Sequence, residues 1–389
     1  MRDLLTAAVM TASALAAGLL AGPAASAQPA SPPWAQVSAS STLTCGVQTN
    51  RTMWCWGNNN RGQLGTSGHG VQDAPVRVGL RAGWTQVAAG GGHACAVRSD
   101  HSLWCWGDGS SGALGTGART TRYHPVQVSG GDVYTSVSGS ENTECAIRTD
   151  GTLWCWGDDT YGEVGDGTTG GFVLSPAQVG AAADWTGVSA AAGHACGIQA
   201  DGSAWCWGAG LRGELGDGAP AGSDTPAQVE GSGVWTGISA GGPAAAGVTC
   251  GIQADATLWC WGADSAGQLG DGKGPDSDVP VQVGARTGWR QASAAADHAC
   301  ALHGGSLWCW GADADGLIGN GSATPITRPV KVSTPPAAYN WVQVSAGDDK
   351  DTCGIERGHT LWCWGLNEDD QLGLGSGAKL YNDTPQQVT

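Results

Sequence analysis

Residues 145–157 read CAIRTDGTLWCWG, and six relatives of this stretch recur along the chain. Thr149, Asp150 and Gly151 fit a three-residue hairpin loop, a type I turn closed by a residue in the left-handed region, where glycine lacks the Cβ that makes that conformation costly. Arg148 then faces Thr152, Ile147 faces Leu153, Ala146 faces Trp154 and Cys145 faces Cys155. Hydrogen-bonded and non-hydrogen-bonded pairs alternate outward from the turn, so the cysteines fall on a non-hydrogen-bonded pair, where Cα atoms lie roughly 4.5 Å apart. A disulfide tolerates that separation. The sixth copy, CALHGGSLWC at 300–309, is one residue shorter. There a two-residue Gly304-Gly305 turn again sets Cys300 opposite Cys309. A deletion that shortens the loop yet keeps the pairing is what a cross-strand bridge demands.

Compartment follows from the first residues and from the cysteines. Residues 1–27 read as a secretory signal, with Arg2 near the start, an apolar run over 4–20 and Ala25-Ser26-Ala27 as cleavage site before Gln28. Residues 28–33 form a short linker, and 34–389 hold the repeats. Fourteen cysteines, an even number in an exported chain without any C-x-x-C, point to a disulfide framework rather than a zinc or redox centre. The expected bridges are Cys45 with Cys55, Cys95 with Cys105, Cys145 with Cys155, Cys196 with Cys206, Cys250 with Cys260, Cys300 with Cys309, and Cys353 with Cys363. Each closes a short loop and contributes about 2–3 kcal/mol by chain entropy. The formal charge of −16 repels phosphate backbones and anionic lipid, so neither nucleic acid nor, after signal cleavage, a membrane surface is an expected partner. A basic ligand, or plain extracellular solubility, fits it better.

The tetrapeptide W-C-W-G begins at Trp54, Trp104, Trp154, Trp205, Trp259, Trp308 and Trp362, a period of about fifty residues. Four strands fit each period: a W-x-x-V strand, the two strands of the stapled hairpin, and a P-x-x-V strand that follows a G-x-L-G connection such as 62–65, 213–216 or 267–270. No segment shows the periodicity of an amphipathic helix, and turn signals are dense. The chain is therefore expected to be all-β, a seven-bladed β-propeller with four antiparallel strands per blade. Fourteen of the twenty tryptophans belong to W-C-W-G and the other six open first strands, with Tyr134 in the third unit. Both rings of W-C-W point to one face of the hairpin and the cysteine to the other, so the rings are expected to fill the gaps between blades. Two closures fit the spacing: every blade complete in sequence order, or the last strand pairing beside the first unit as a latch.

The combination of H-A-C-A/G, D-G-T-L-W-C-W-G, G-Q-L-G-D-G and P-x-x-V, seven times over, resembles the regulator of chromosome condensation repeat family across residues 34–388. That resemblance implies the propeller fold strongly and a function weakly, because propellers host many unrelated activities. Its founding member's association with chromatin and with nucleotide exchange on Ran sits badly with the acidic balance and the repeated cysteine pair. An ultraviolet-sensing role, as in a plant photoreceptor of the family, conflicts with export and with the repeat-wide placement of tryptophan.

Candidate chemistry is sparse. His93, His194 and His298 share one slot, two residues before a cysteine, and recurrence in that slot points to structural hydrogen bonding rather than catalysis. Acidic residues gather in the connections: Asp158, Asp159, Glu163 and Asp166; Asp264, Asp271, Asp276 and Asp278; Glu368, Asp369 and Asp370. Two carboxylates could hydrolyse a glycosidic bond and several could hold calcium, whereas Asp-Gly pairs are also ordinary turn residues. GDGSSG at 107–112 matches G-x-G-x-x-G but precedes no helix. No catalytic, cofactor or metal residue is assigned. The expected protein is a secreted, non-enzymatic, monomeric scaffold that binds an extracellular protein or glycan through one loop rim, built from connections that vary most at 170–175, 220–224 and 273–278. The alternatives are an inhibitor of a secreted hydrolase such as a β-lactamase or protease, matching the exported β-lactamase-inhibiting propellers of this family at the level of fold, and a carbohydrate-active enzyme or glycan binder using the acidic loops.

Overall fold

A computed structural model describes residues 33–333, 340–348 and 350–389. The secretory signal expected at 1–27 and the linker up to residue 32 lie outside them. The described residues form twenty-eight strands in seven four-stranded sheets, with no α-helix. Blade 1 is built from β1 (Trp34–Ala39), β2 (Leu43–Gln48), β3 (Met53–Gly57) and β4 (Gln72–Arg77), which pair in that order. Blades 2 to 7 start at Trp84, Tyr134, Trp185, Trp235, Trp289 and Trp341 and repeat the pattern. Every blade is complete in sequence order, which settles the choice between the two closures: no strand from one end completes a sheet at the other.

Closure is instead noncovalent and uses the same indole bond as every other joint. The second tryptophan of each W-C-W is fully buried and donates its Nε1–H to a carbonyl in the G-x-L-G connection of the preceding blade, as Trp106 does to Gln63 O at 2.9 Å and Trp261 to Glu214 O at 3.0 Å. Trp56 of blade 1 makes the same bond to Gln371 O of blade 7, at 2.8 Å. The last glycine of each connection, such as Gly270 at φ 70°, lies flat on that indole, and a Cβ there would stand 2.6 Å from Trp310 Nε1. This explains why the connection is glycine-bound. A second set of bonds runs between first strands, where Ser38 Oγ accepts the Ala89 N–H and Ser345 Oγ accepts the Ala39 N–H, both at 3.0 Å.

The hairpins adopt the expected register. Cys145 pairs with Cys155, and Arg148 N–H donates to Thr152 O. All seven cysteine pairs are bonded within their own hairpins, with Cα atoms 4.0–4.1 Å apart. Each bridge packs on the next blade, Cys45 and Cys55 forming one core with Trp84 and Trp106. The first tryptophan of W-C-W fills less of the gap than the second: it is half-buried, and in six copies, Trp308 excepted, its Nε1 donates to the hydroxyl two residues earlier, as in Trp154 to Thr152 Oγ1 at 2.8 Å. The closing position of the turn is glycine in only some copies; Arg51, His101, Ala256 and His359 occupy it at φ 62–65°. In three of these the preceding Asn50, Asp100 or Asp255 accepts the N–H two residues on, as Asp150 and Asp201 also do in the glycine-closed turns.

Candidate functional site

Strand direction alternates within a blade, so first-to-second-strand loops and third-to-fourth-strand connections share one rim, while hairpin turns and blade-to-blade connections share the other. The connections noted above for variability, at 170–175, 220–224 and 273–278, belong to the first rim. A polar cleft of about 410 Å³ opens there across blades 1, 2 and 3. Its walls include Thr42, Asn58 and Arg61 of blade 1, Asp108 of blade 2, and Glu141 and Asn142 of blade 3. Arg61 bridges to Asp108. Burial opposes the Asp108 carboxylate, but the Ser110 N–H and hydroxyl and the Arg61 guanidinium together hold its pKa below the usual value. Asn58 Nδ2 donates to Asp369 Oδ1 at 2.9 Å, tying the cleft wall to blade 7.

Below this rim lie the three recurrent histidines, all buried. His194 Nε2 is 2.9 Å from Thr249 Oγ1 and His298 Nε2 is 3.0 Å from Thr352 Oγ1, each threonine belonging to the next blade. Both hydroxyls give their own proton to loop carbonyls, Glu214 O and Leu317 O, so the imidazole must be the donor to the threonine. Burial lowers the His194 pKa to about 4, which keeps the ring neutral. At the third interface a carboxylate replaces the hydroxyl: His93 Nε2 meets Glu144 Oε1 at 2.7 Å, and burial, partly offset by His93, raises the Glu144 pKa to about 7. His93, Glu144 and Cys95 are the one trio of candidate metal donors within ligand reach among the described residues. Cys95 is bonded to Cys105, which leaves two donors and no thiolate.

Many of the acidic connection residues are backbone caps, while Asp276 bridges to Arg212 and Glu368 and Asp369 face Lys350. Asn59, Asp159, Asp264, Asp313 and Asn367 share one slot, and each Oδ1 accepts the N–H five residues on, as Asp159 does from Val164 at 3.1 Å and Asp264 from Leu269 at 2.9 Å. Gly109 and Gly210 fill the slot in blades 2 and 4, where a Cβ would collide with Thr120 O or Ala221 O, so the loop backbone itself takes the space. Glu163 and Glu214 accept the N–H of Tyr161 and Arg212, and Gln268 and Gln371 do the same in their blades. Asp158 and Asp166 accept the N–H of Thr160 and Thr168. Burial raises Asp159 to about 6 and Glu163 to about 7. These perturbed carboxyls are locked into loop geometry rather than aimed into a cleft. The GDGSSG segment is one such connection, between strands and not before a helix.

Sequence reasoning missed two features. Glu144 is the single charge in the slot before a cysteine, a signal visible by aligning the seven copies. The charge is also unevenly spread: residues 34–133 hold seven arginines against four aspartates, and residues 134–389 hold ten basic against twenty-nine acidic residues. A count per repeat, rather than per chain, would have found it.

Models of the regulator of chromosome condensation (RCC1) repeat match residues 52–97, 100–147, 255–302 and 304–350, and a second model of the same repeat matches 34–63, 84–113 and 134–163. No curated protein matches the sequence. Among solved structures, human WBSCR16 shares 19% identity over 87% of this chain and 94% of its own, with a TM-score of 0.76. Prp20p from Saccharomyces cerevisiae, described with its binding to Gsp1p and histones, shares 18% identity over 92% of this chain and 86% of its own, with a TM-score of 0.75. The ectodomain of the Physcomitrella patens receptor kinase CR4 shares 20% identity over 86% and 74%, with a TM-score of 0.53. At these identities the likeness is one of fold.

Proposed function

Because the chain belongs to the regulator of chromosome condensation repeat family, we propose that it works as an exported, non-enzymatic scaffold that holds an extracellular protein or glycan on the rim bearing the polar cleft. One observation carries this reading: the most deeply buried carboxyls of the connections are held in loop caps rather than presented to the cleft. Asp159, Glu163, Asp264 and Asp313 each accept a backbone N–H of their own loop, and the buried histidines are tied across blades. Loops fixed in this way lose little conformational entropy when a partner binds, which favours recognition. Seven bridged hairpins supporting those loops suit an oxidising compartment. No helix of the described residues is long and apolar enough to cross a membrane.

Affinity capture from extracellular fluid with the folded, oxidised chain tests the proposal. Capture of a macromolecule by the wild type, lost in an Arg61→Glu/Glu141→Arg variant of unchanged melting temperature, is the expected result. Nanomolar inhibition in a β-lactamase and protease panel would narrow the partner to a hydrolase. Turnover in a glycan panel would overturn the non-enzymatic reading.

A further inference from the structure

The rim opposite the cleft carries four of the seven arginines of blades 1 and 2, Arg51, Arg77, Arg81 and Arg98, against Asp100 and Asp132. The connection from blade 1 to blade 2 projects Leu80, 91% exposed, and Arg81, which is exposed and has neither hydrogen bond nor ion pair among the described residues. Leu80, Trp104 and Pro125 border a groove of about 440 Å³, with Arg81, Arg98 and His124 around it. Arg98 stacks 5.6 Å over the Trp84 ring and donates to Ala82 O at 2.9 Å, so its guanidinium is held in place at the groove wall. Leu80 is the most exposed of the large apolar side chains, and it stands beside a cation with no partner of its own.

We propose that this groove docks an extended polypeptide segment of a partner, one that presents a bulky aliphatic or aromatic side chain flanked by carboxylates. The apolar wall beside Leu80 takes the side chain, and Arg81 and Arg98 take the carboxylates through charge-assisted hydrogen bonds. Charge complementarity selects this occupant: Arg81 and Arg98 flank the groove within a chain of net charge −16, so an acidic segment is drawn here rather than to the acidic blades 3 to 7. A nucleic acid would extend beyond the groove onto the acidic blades. A glycan would want an open aromatic face, whereas Trp104 is half-buried with its Nε1 bonded to Ser102 Oγ at 2.8 Å. The groove lies on the rim away from the polar cleft, so the two proposals stand or fall separately.

The test pans the full oxidised chain against a displayed library of random dodecapeptides, then measures a selected peptide by fluorescence anisotropy. The expected peptides carry an apolar residue close to two or more carboxylates. Binding weakens about tenfold in Leu80→Asp and in Arg81→Glu, and weakens with added salt, but is unchanged in Arg357→Glu, a charge reversal in the blade 7 hairpin turn on the same rim. Leu80 and Arg81 are exposed loop residues, and matched melting temperatures show that a loss is not unfolding. Selection of peptides without acidic residues, or binding indifferent to Arg81→Glu, overturns the proposal. So does binding of oligogalacturonate in place of peptide, or a concentration-dependent dimer that dissolves in Leu80→Asp while no peptide binds.

Discussion

Asp313→Asn is expected to stabilise the protein at neutral pH. The carboxyl is fully buried; its Oδ1 accepts the Ile318 N–H at 3.0 Å, and its Oδ2 has no hydrogen-bond partner. Burial, reinforced by Asp383 and opposed by Ile318 and His298, raises its pKa from 3.8 to about 6. At 1.36 kcal/mol per unit, the shift of about two units sets an upper bound of roughly 3 kcal/mol, and relaxation of a rim loop toward solvent brings the expected effect to about 1–3 kcal/mol. The folded state holds a proton that the unfolded chain releases, so wild-type stability falls as pH rises from about 4 to 6 and then levels. Asparagine keeps the Oδ1 acceptor and carries no charge, and blades 1 and 7 already use it in this slot, where Asn59 Nδ2 donates to Gly68 O at 2.7 Å. Melting curves from pH 4 to 8 should coincide at the acid end, diverge between about pH 4 and 6, and then stay apart by about 1–4 °C for a chain of this length. Asp313→Ala, which loses the cap, should be less stable than Asp313→Asn at every pH. A variant offset that is the same at all pH values, or a loss at pH 7, would refute the reasoning.

Gly270→Ala should destabilise by at least about 2 kcal/mol, because it meets Trp310 Nε1 and adopts a positive φ, and chemical denaturation followed by tryptophan fluorescence reads the change. Ala256→Gly should act in the opposite direction by about 0.5–1 kcal/mol, since it relieves a left-handed alanine at φ 63°. Peptide mapping of the secreted protein without reduction should recover seven bridges, each within one hairpin, and replacing Cys45 and Cys55 together by alanine should cost about 2–3 kcal/mol; free thiols or bridges between blades would contradict the fold. A chelator should leave the melting temperature unchanged, because the acidic loops are closed by backbone N–H groups; a fall would mean that a cation completes one of them.

The hairpin was legible because its register follows from local geometry: once Cys145 faces Cys155, every pair between them is fixed, and the short sixth copy obeys the same count. Blade number followed from counting W-C-W-G. Ring closure was not legible, since it depends on which carbonyl each indole reaches, and a sequence does not show that Trp56 and Gln371 meet across 315 positions. The acidic connections were ambiguous for a related reason. A carboxylate that caps its own loop and one that awaits a ligand have the same composition, and they differ only in whether an N–H five residues on points back, as at Val164 and Ile318. Glu144 and the arginine excess of blades 1 and 2 were readable in principle, but whole-chain totals average them away.

The histidine slot shows how blade order is specified. Blades 2, 4 and 6 present His-Ala at the two positions before the cysteine, and blades 3, 5 and 7 answer with Glu144, Thr249 and Thr352 in the second of them. At intervening joints Leu43 shares a core with Ala94 and Val248 with Ala299, so donor-bearing joints alternate with joints where alanine offers nothing to bond. An alternation of period two cannot close on seven blades. At the joint between blades 7 and 1 two members of the same type meet, and there Asp351 takes the histidine position, with its Oδ2 3.5 Å from Thr44 Oγ1. A ring that skipped one blade would face a buried histidine with alanine, at the cost of about 1–3 kcal/mol for an unsatisfied polar group. Similar repeats have many possible stacking orders, and these buried pairs penalise the wrong ones.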